Sequence, residues 1–109
     1  MSDPNVEAAL KRLIDRFRDS VCLKYAVEAE QYAKANAPWT DRTGEARKTL
    51  KGYVIDEEQA VGFGIAHRKE YGKQLETARD GKYAILKPTI ENLRKGFLDT
   101  ARLIFGGHG

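Results

Sequence analysis

Hydrophobic residues recur every three or four positions over the first third of the chain, which is the period of an amphipathic helix. The recurring positions are Val6, Leu10, Leu13, Ile14, Phe17, Val21, Tyr25, Ala29, Tyr32 and Ala33. Asp3 before Pro4 predicts a capped start, and Pro38 predicts an end near Asn36 because proline disfavours helical geometry in the residue before it. A helix of about 30 residues is roughly 45 Å long, against ~25 Å for a compact domain of this size. Part of the helix is therefore expected to extend beyond the core.

The period changes to two after this helix, which is typical of strands. Residues 50–56 and 60–66 predict an antiparallel hairpin that turns through residues 56–59. In the second strand, Val61, Phe63 and Ile65 alternate with Ala60, Gly62, Gly64 and Ala66. The glycine and alanine face is bare enough for a backbone, the long helix or a neighbouring subunit to approach closely.

A second helical pattern ends the chain. Pro88 stands in its first turn, Gly106 and Gly107 stop it, and its apolar face is Ile90, Leu93, Phe97, Ala101 and Ile104. Gly96 inside the helix costs about 1 kcal/mol relative to alanine, which suggests close packing or a local weak point. Residues 83–86 suggest a short strand. The sequence thus predicts an α+β fold in one domain over residues 1–109, with a long N-terminal helix and a C-terminal helix packed on a small antiparallel β-sheet.

Composition and charge narrow the classes of function. The chain is 41% apolar, and no apolar run approaches the roughly 20 residues of a membrane span, so we expect a soluble protein with no membrane partner. Cys22 is the only cysteine and is expected to be a small buried residue. The net charge of +3 is unevenly spread: residues 38–52 hold four basic and two acidic side chains, whereas residues 53–66 hold only the acidic run at residues 56–58. This alternation favours complementary protein surfaces over a nucleic-acid-binding face.

Few residues suggest catalysis or metal binding. His67 and His108 are 41 positions apart, and no nucleophile motif surrounds Ser2 or Ser20. Glu70 and Glu76 are six residues apart, a spacing that points two carboxylates in different directions on a helix. We therefore expect no enzyme, no metal and no cofactor.

The stretch APWTDRTGEARKTL, residues 37–50, concentrates tryptophan, proline and charge. Trp39 fits either a lid over the core or an interface anchor, since tryptophan and arginine are enriched at binding hot spots. Arg42, Arg47 and Lys48 flank a Thr43-Gly44 bend and either hold local carboxylates or meet a partner.

The ordered motifs along the chain resemble a family of small virion proteins of long-tailed bacteriophages, the tail-component or head-to-tail joining (neck, tail-completion) family. Its members carry Ala-Pro, then Thr-Gly and a basic residue, and further on Tyr, Leu-Glu and a proline before the last helix. The matching positions here are Ala37, Pro38, Thr43, Gly44, Arg47, Tyr71, Leu75, Glu76 and Pro88. Members often read Glu-Phe-Gly-Thr where this chain has residues 76–79 as Glu-Thr-Ala-Arg.

The resemblance implies a structural subunit that works with the tail terminator, tail tube or head connector. It also implies a homo-oligomer in the virion, commonly a sixfold ring whose lumen would permit non-specific DNA contact, and assembly in the host cytoplasm. The interface residues expected on this basis are Trp39, Arg42, Thr43, Gly44, Arg47, Tyr71 and Glu76. The charge pattern suggests that Arg42 and Arg47 reach residues 56–58 of an adjacent subunit.

Two other classes of function stay open from the residues alone. The first is a small basic nucleic-acid-binding or regulatory protein, and the second is a small hydrolase or toxin. The residues that would serve the nucleic-acid-binding class are Arg42, Arg47, Lys48, Lys51, Arg68 and Lys69.

Overall fold

The computed structural model describes residues 3–38, 45–58, 60–67 and 84–106. These residues form two long helices and a two-stranded antiparallel sheet, which confirms the predicted α+β class. The elements are α1 (Pro4–Phe17), a first π segment (Arg18–Cys22), α2 (Leu23–Asn36), α3 (Glu45–Lys48), β1 (Leu50–Glu57), β2 (Ala60–His67), α4 (Leu86–Ala101) and a second π segment (Arg102–Gly106). None of the described helices is both long enough and apolar enough to cross a membrane.

The first three elements form one continuous helix with the predicted ends. The Asp3 side chain accepts a hydrogen bond from the Asn5 amide at 2.8 Å, which caps the start. At the other end Ala37 leaves the helical region, with φ −56° and ψ 126°, directly before Pro38. The molecule measures 56 × 25 × 20 Å, so the helix is longer than the core is wide.

The π segment shifts the buried face of this helix. Phe17 and Cys22 are buried five residues apart, and Ala26 follows after four more. A π turn holds one residue more than an α turn, so residues beyond it rotate relative to an unbroken 3.6-residue period. Val21 and Tyr25, which an unbroken period places on the apolar face, are consequently only half-buried.

The hairpin pairs Leu50 with His67 at its base and Glu57 with Ala60 at its tip, as the alternating pattern predicts. One face, which includes Leu50 and Ile65, joins a buried cluster with α2 and Ile85. On the other face, Tyr53 from β1 lies against Gly64, so this part of the bare face is filled by the opposite strand rather than by the helix.

The helix meets the sheet at Gly52. A Cβ atom at Gly52 would overlap the carbonyl oxygen of Ala26, so the two backbones are in direct contact. The small side chains of Ala26, Ala29 and Ala33 are all buried and permit this close approach. One oxygen of Glu30 accepts from the Gly52 amide at 3.0 Å, so this N–H of β1 is bonded to the helix.

Helix α4 begins earlier than predicted and replaces the short strand suggested for residues 83–86. Leu86 is already helical, and Ile85 is the N-terminal cap residue, whose carbonyl accepts from the Thr89 amide at 3.0 Å and the Thr89 hydroxyl at 2.7 Å. The buried residue Ile85 therefore caps the start of a helix and is not part of a strand. Tyr83 lies outside the described residues.

Phe97 of α4 joins the elements through an aromatic cluster. Its ring centroid lies 5.6 Å from that of Phe17, 5.4 Å from Tyr25 and 5.0 Å from Phe63. A Cβ at Gly96 would lie 2.7 Å from the Tyr25 hydroxyl oxygen, so close packing accounts for this helical glycine. Its missing side chain makes room for Tyr25.

We expect Gly52→Ala to lower the free energy of unfolding by about 1 to 3 kcal/mol or more, because the new methyl group must push α2 away from β1. Gly62→Ala is the matched control in β2, since its nearest neighbour would be Ile55 Cδ1 at 3.9 Å. Urea unfolding followed by circular dichroism measures both. Equal midpoints for the two variants would contradict the backbone contact.

Candidate functional site

Most of the interface residues expected from the sequence lie outside the described residues. These are Trp39, Arg42, Thr43, Gly44, Tyr71 and Glu76. Their assignment stays a prediction. Arg47 is described, and so are the acidic residues that it was expected to reach.

Arg47 binds the end of α2 in its own chain. Its guanidinium donates to the carbonyl oxygen of Lys34 at 2.7 Å and to that of Ala37 at 3.1 Å. Carbonyl groups in the last turn of a helix have no intrahelical partner, and a basic side chain there also meets the negative end of the helix dipole. The half-buried Arg47 therefore secures the turn that follows the long helix. A contact of Arg47 with an adjacent subunit stays a prediction.

The hairpin tip is held to the long helix by Arg18. Its guanidinium lies 2.9 Å from Asp19, 3.1 Å from Asp15 and 3.4 Å from Asp56. The hydrogen bond with Asp19 raises the pKa of Arg18 against a smaller opposing effect of burial, and the same bond lowers the pKa of Asp19. Asp56 thus has an intramolecular partner, and an arginine of another subunit is not needed to neutralise it.

Helix α1 extends past the body of the molecule. Helix α4 and the π segment after it run back along the long helix. Their cap residue Ile85 shares a buried cluster with Ala33, and at the other end the ring of Phe105 lies 5.0 Å from that of Phe17. Every residue from Pro4 to Leu13 is exposed. We call residues 4–13 the overhang.

The overhang carries an exposed apolar stripe. Val6 is 62% exposed, Leu10 50% and Leu13 37%, and Phe17 continues the stripe into the core, where it is 4% exposed. The steps of four, three and four residues keep these side chains on one side of the helix. The stripe is therefore the extension of a packed face beyond the elements that cover it.

A groove separates the overhang from the hairpin tip. Leu10, Ile14 and Val61 supply its apolar surface. The charged residues that line it are Glu7, Lys11, Asp15, Arg18, Asp56, Glu57 and Glu58. Since Arg18 already faces three aspartates, the groove keeps an excess of negative charge.

Comparison with protein-family models, curated proteins and solved structures finds no match to this chain. Inferences about its function therefore depend on its own residues and geometry.

Two described residues with reactive or titratable side chains, Cys22 and His67, are buried. Cys22 is fully buried, and burial raises the pKa of its thiol despite the nearby charge of Arg18, which keeps the less reactive protonated form. His67 is also buried, at the end of β2. Within the described ranges no three residues of the metal-binding types cluster together.

Glu30 joins the long helix to the middle of β1, as Arg18 joins it to the hairpin tip. Partial burial disfavours its charge, but hydrogen bonds from Lys34 and the Gly52 amide, with the charges of Lys34 and Lys51, outweigh burial and lower its pKa. The carboxylate therefore stays ionised and holds α2 to β1. Glu30 was not singled out from the sequence: its position one turn after Ala26 was an available signal, but its partner in β1 could not be inferred from spacing.

We expect Arg47→Ala to destabilise the isolated protein by about 1.5 to 3 kcal/mol, because two carbonyl groups at the end of α2 lose a charged donor. Lys48→Ala is the control, since Lys48 is the exposed next residue. Chemical denaturation of both variants gives the difference. An Arg47 variant that keeps wild-type stability and fails only in assembly would contradict this stabilising role and favour an intermolecular one.

Proposed function

We propose that this protein is a structural virion subunit of a long-tailed bacteriophage or prophage that acts in head-to-tail joining or tail completion. It works by assembly and not by catalysis. The observation that carries the proposal is the overhang, whose apolar stripe is half-exposed in the single chain. Contiguous exposed apolar surface is a mark of protein–protein contact.

The family motifs gain a common physical role in this structure, which supports the proposal. Ala37 and Pro38 end the long helix, and Arg47 donates to the Ala37 carbonyl from ten residues further along the chain. A helix of fixed length and fixed end is what a subunit needs if it is to reach past its own core. Three of the motif residues, Ala37, Pro38 and Arg47, therefore fix the end of the long helix opposite the overhang.

The partners follow from the same proposal. The subunit assembles with the tail terminator, tail tube or head connector, as a ring of copies, commonly six, or as copies docked around a ring. Several weak contacts made at once give such an assembly its strength. The virion tail or neck is its proposed location, and the host cytoplasm is where it assembles.

The nucleic-acid-binding alternative receives less support from the described residues. Arg47 is engaged with carbonyl groups, and Lys51 lies 3.9 Å from Glu30. Arg42, Arg68 and Lys69 lie outside the described residues.

We expect Leu10→Asp to leave the melting temperature within a few degrees of wild type, because surface substitutions change stability by about 0.5 kcal/mol or less. In the phage that encodes the protein, this variant is expected to yield unjoined heads and tails in electron micrographs. Leu23→Asp is the matched control, because Leu23 is 51% exposed and lies on α2 outside the overhang.

Two results would count against the proposal in different ways. Infectious particles formed at normal titre after deletion of the gene would exclude a role in joining or completion. Normal joining with Leu10→Asp, when deletion abolishes joining, would keep the function and move its contact surface away from the overhang.

A further inference from the structure

The two flanks of the overhang carry opposite charge. Successive helical residues are about 100° apart, so Glu7 lies roughly 90° to one side of the mean direction of Val6, Leu10, Leu13 and Phe17, and Arg16 and Arg12 lie roughly 90° and 130° to the other side. The hairpin tip adds to the Glu7 side, because Glu57 and Glu58 line the same groove as Glu7, and Lys11, which also lines it, offsets only one of these three negative charges. We call the Glu7, Glu57 and Glu58 side the acidic flank and the Arg12 and Arg16 side the basic flank.

These five charges have no ion-pair partner among the described residues. Several exposed helical charges elsewhere are paired within the chain, such as Lys24 with Glu28, Lys87 with Glu91, and Lys95 with Asp99. Lys11 and Arg94 are exposed and unpaired among the described residues as well, so the distinguishing feature of the two flanks is their opposite sign on either side of the stripe. Unpaired charges of opposite sign on either side of an apolar stripe are the pattern of an interface rim around an apolar centre.

We propose that copies of this chain associate side by side through their overhangs, with the acidic flank of one copy against the basic flank of the next. The stripe of Val6, Leu10 and Leu13 lies at the centre of this contact. This proposal adds to the proposed function the surface through which copies join. It rests on that function only for the place in the virion where the copies assemble.

The direction of the contact follows from the sign of the flanks. In an antiparallel two-fold pair with the stripes face to face, each acidic flank would lie beside the other acidic flank, which is repulsive. Copies that are related by rotation and point the same way place unlike flanks together. Such a contact closes with two copies or with more, and in each closed arrangement the acidic flank of one copy meets the basic flank of the next.

A second copy also fits better than a basic helix from another protein. A basic partner would complement Glu57 and Glu58 and leave Arg12 and Arg16 unmatched. A second copy supplies both charges, and repeating the contact leaves no flank unused within a ring.

The test is a charge exchange between the flanks. One variant carries Glu57→Arg with Glu58→Arg, a second carries Arg12→Glu with Arg16→Glu, and a third carries all four changes. All four side chains are exposed, so each variant is expected to keep its fold, and circular dichroism checks this. Association of the full chain is measured by sedimentation velocity up to about 1 mM at low salt, where surface charges are least screened.

We expect either half exchange to weaken self-association at least about ten-fold, because like charges then face each other. The four-residue exchange is expected to return it to within about three-fold of wild type. Mixing the two half-exchange variants is expected to restore association as well, since one then carries two basic flanks and the other two acidic flanks. Lys87→Glu with Lys95→Glu is the control with the same change of net charge as the second variant, and it is expected to associate like wild type.

Other outcomes overturn the inference. A wild-type chain that stays monomeric at the highest concentration contradicts a contact between copies, and unchanged association of the half exchanges places that contact elsewhere. Loss of association without recovery in the four-residue exchange contradicts the pairing of these flanks. Binding of a purified neck or tail protein that is lost only with the Glu57 and Glu58 changes would identify a basic partner as the occupant instead.

The same experiments separate this inference from the proposed function. Recovery of self-association by charge exchange, without any binding to neck or tail proteins, would support the surface and count against the phage role. Binding to neck or tail proteins by a chain that never self-associates would support the phage role and count against the contact between copies.

Discussion

The backbone of α2 lies directly on the backbone of β1, and the positions of the other elements depend on this contact. It requires the absence of a side chain at Gly52 and small buried side chains at Ala26 and Ala29. The ionised Glu30, which accepts from the Gly52 amide, fixes the register between helix and strand. That register carries the hairpin tip to Arg18, where Asp56 lies 3.4 Å from the guanidinium, and brings Phe63 of β2 into the aromatic cluster around Phe97.

A mismatch of lengths follows from this arrangement. The long helix from Pro4 to Asn36 spans about 50 Å, whereas strands of eight residues span about 26 Å. Helix α4 and the π segment after it extend the covered length as far as Phe17, whose ring packs on that of Phe105. The overhang is what remains, and its apolar stripe continues a face that is buried one turn later. The proposed function and the proposed contact between copies are both consequences of this surplus helix.

The local elements could be predicted because their signals are local. Asp3, Pro4 and Pro38 set the ends of the long helix, and alternation over residues 50–67 set the hairpin. The π segments could not, because an inserted residue in a helical turn leaves no mark in a 3.6-residue pattern and moves burial from Val21 to Cys22. The hydrogen bonds of Arg47 could not be predicted either, because its acceptors are carbonyl groups thirteen and ten residues away, and a pattern of side chains does not indicate such partners. The excess length of the helix was foreseen, but which end projects depends on the Gly52 register.

Hydrogen exchange of the overhang amides, compared between the free chain and the assembled particle, tests most directly whether a neighbour completes this helix. In the free chain, amides of residues 7–13 are expected to exchange much faster than those near Ala29, because an uncovered helix end frays while the packed part opens only with the core. In the particle, their exchange is expected to slow by at least about ten-fold, with little change near Ala29. Overhang amides that are already as protected as α2 in the free chain, or that exchange equally fast in both states, would contradict the account.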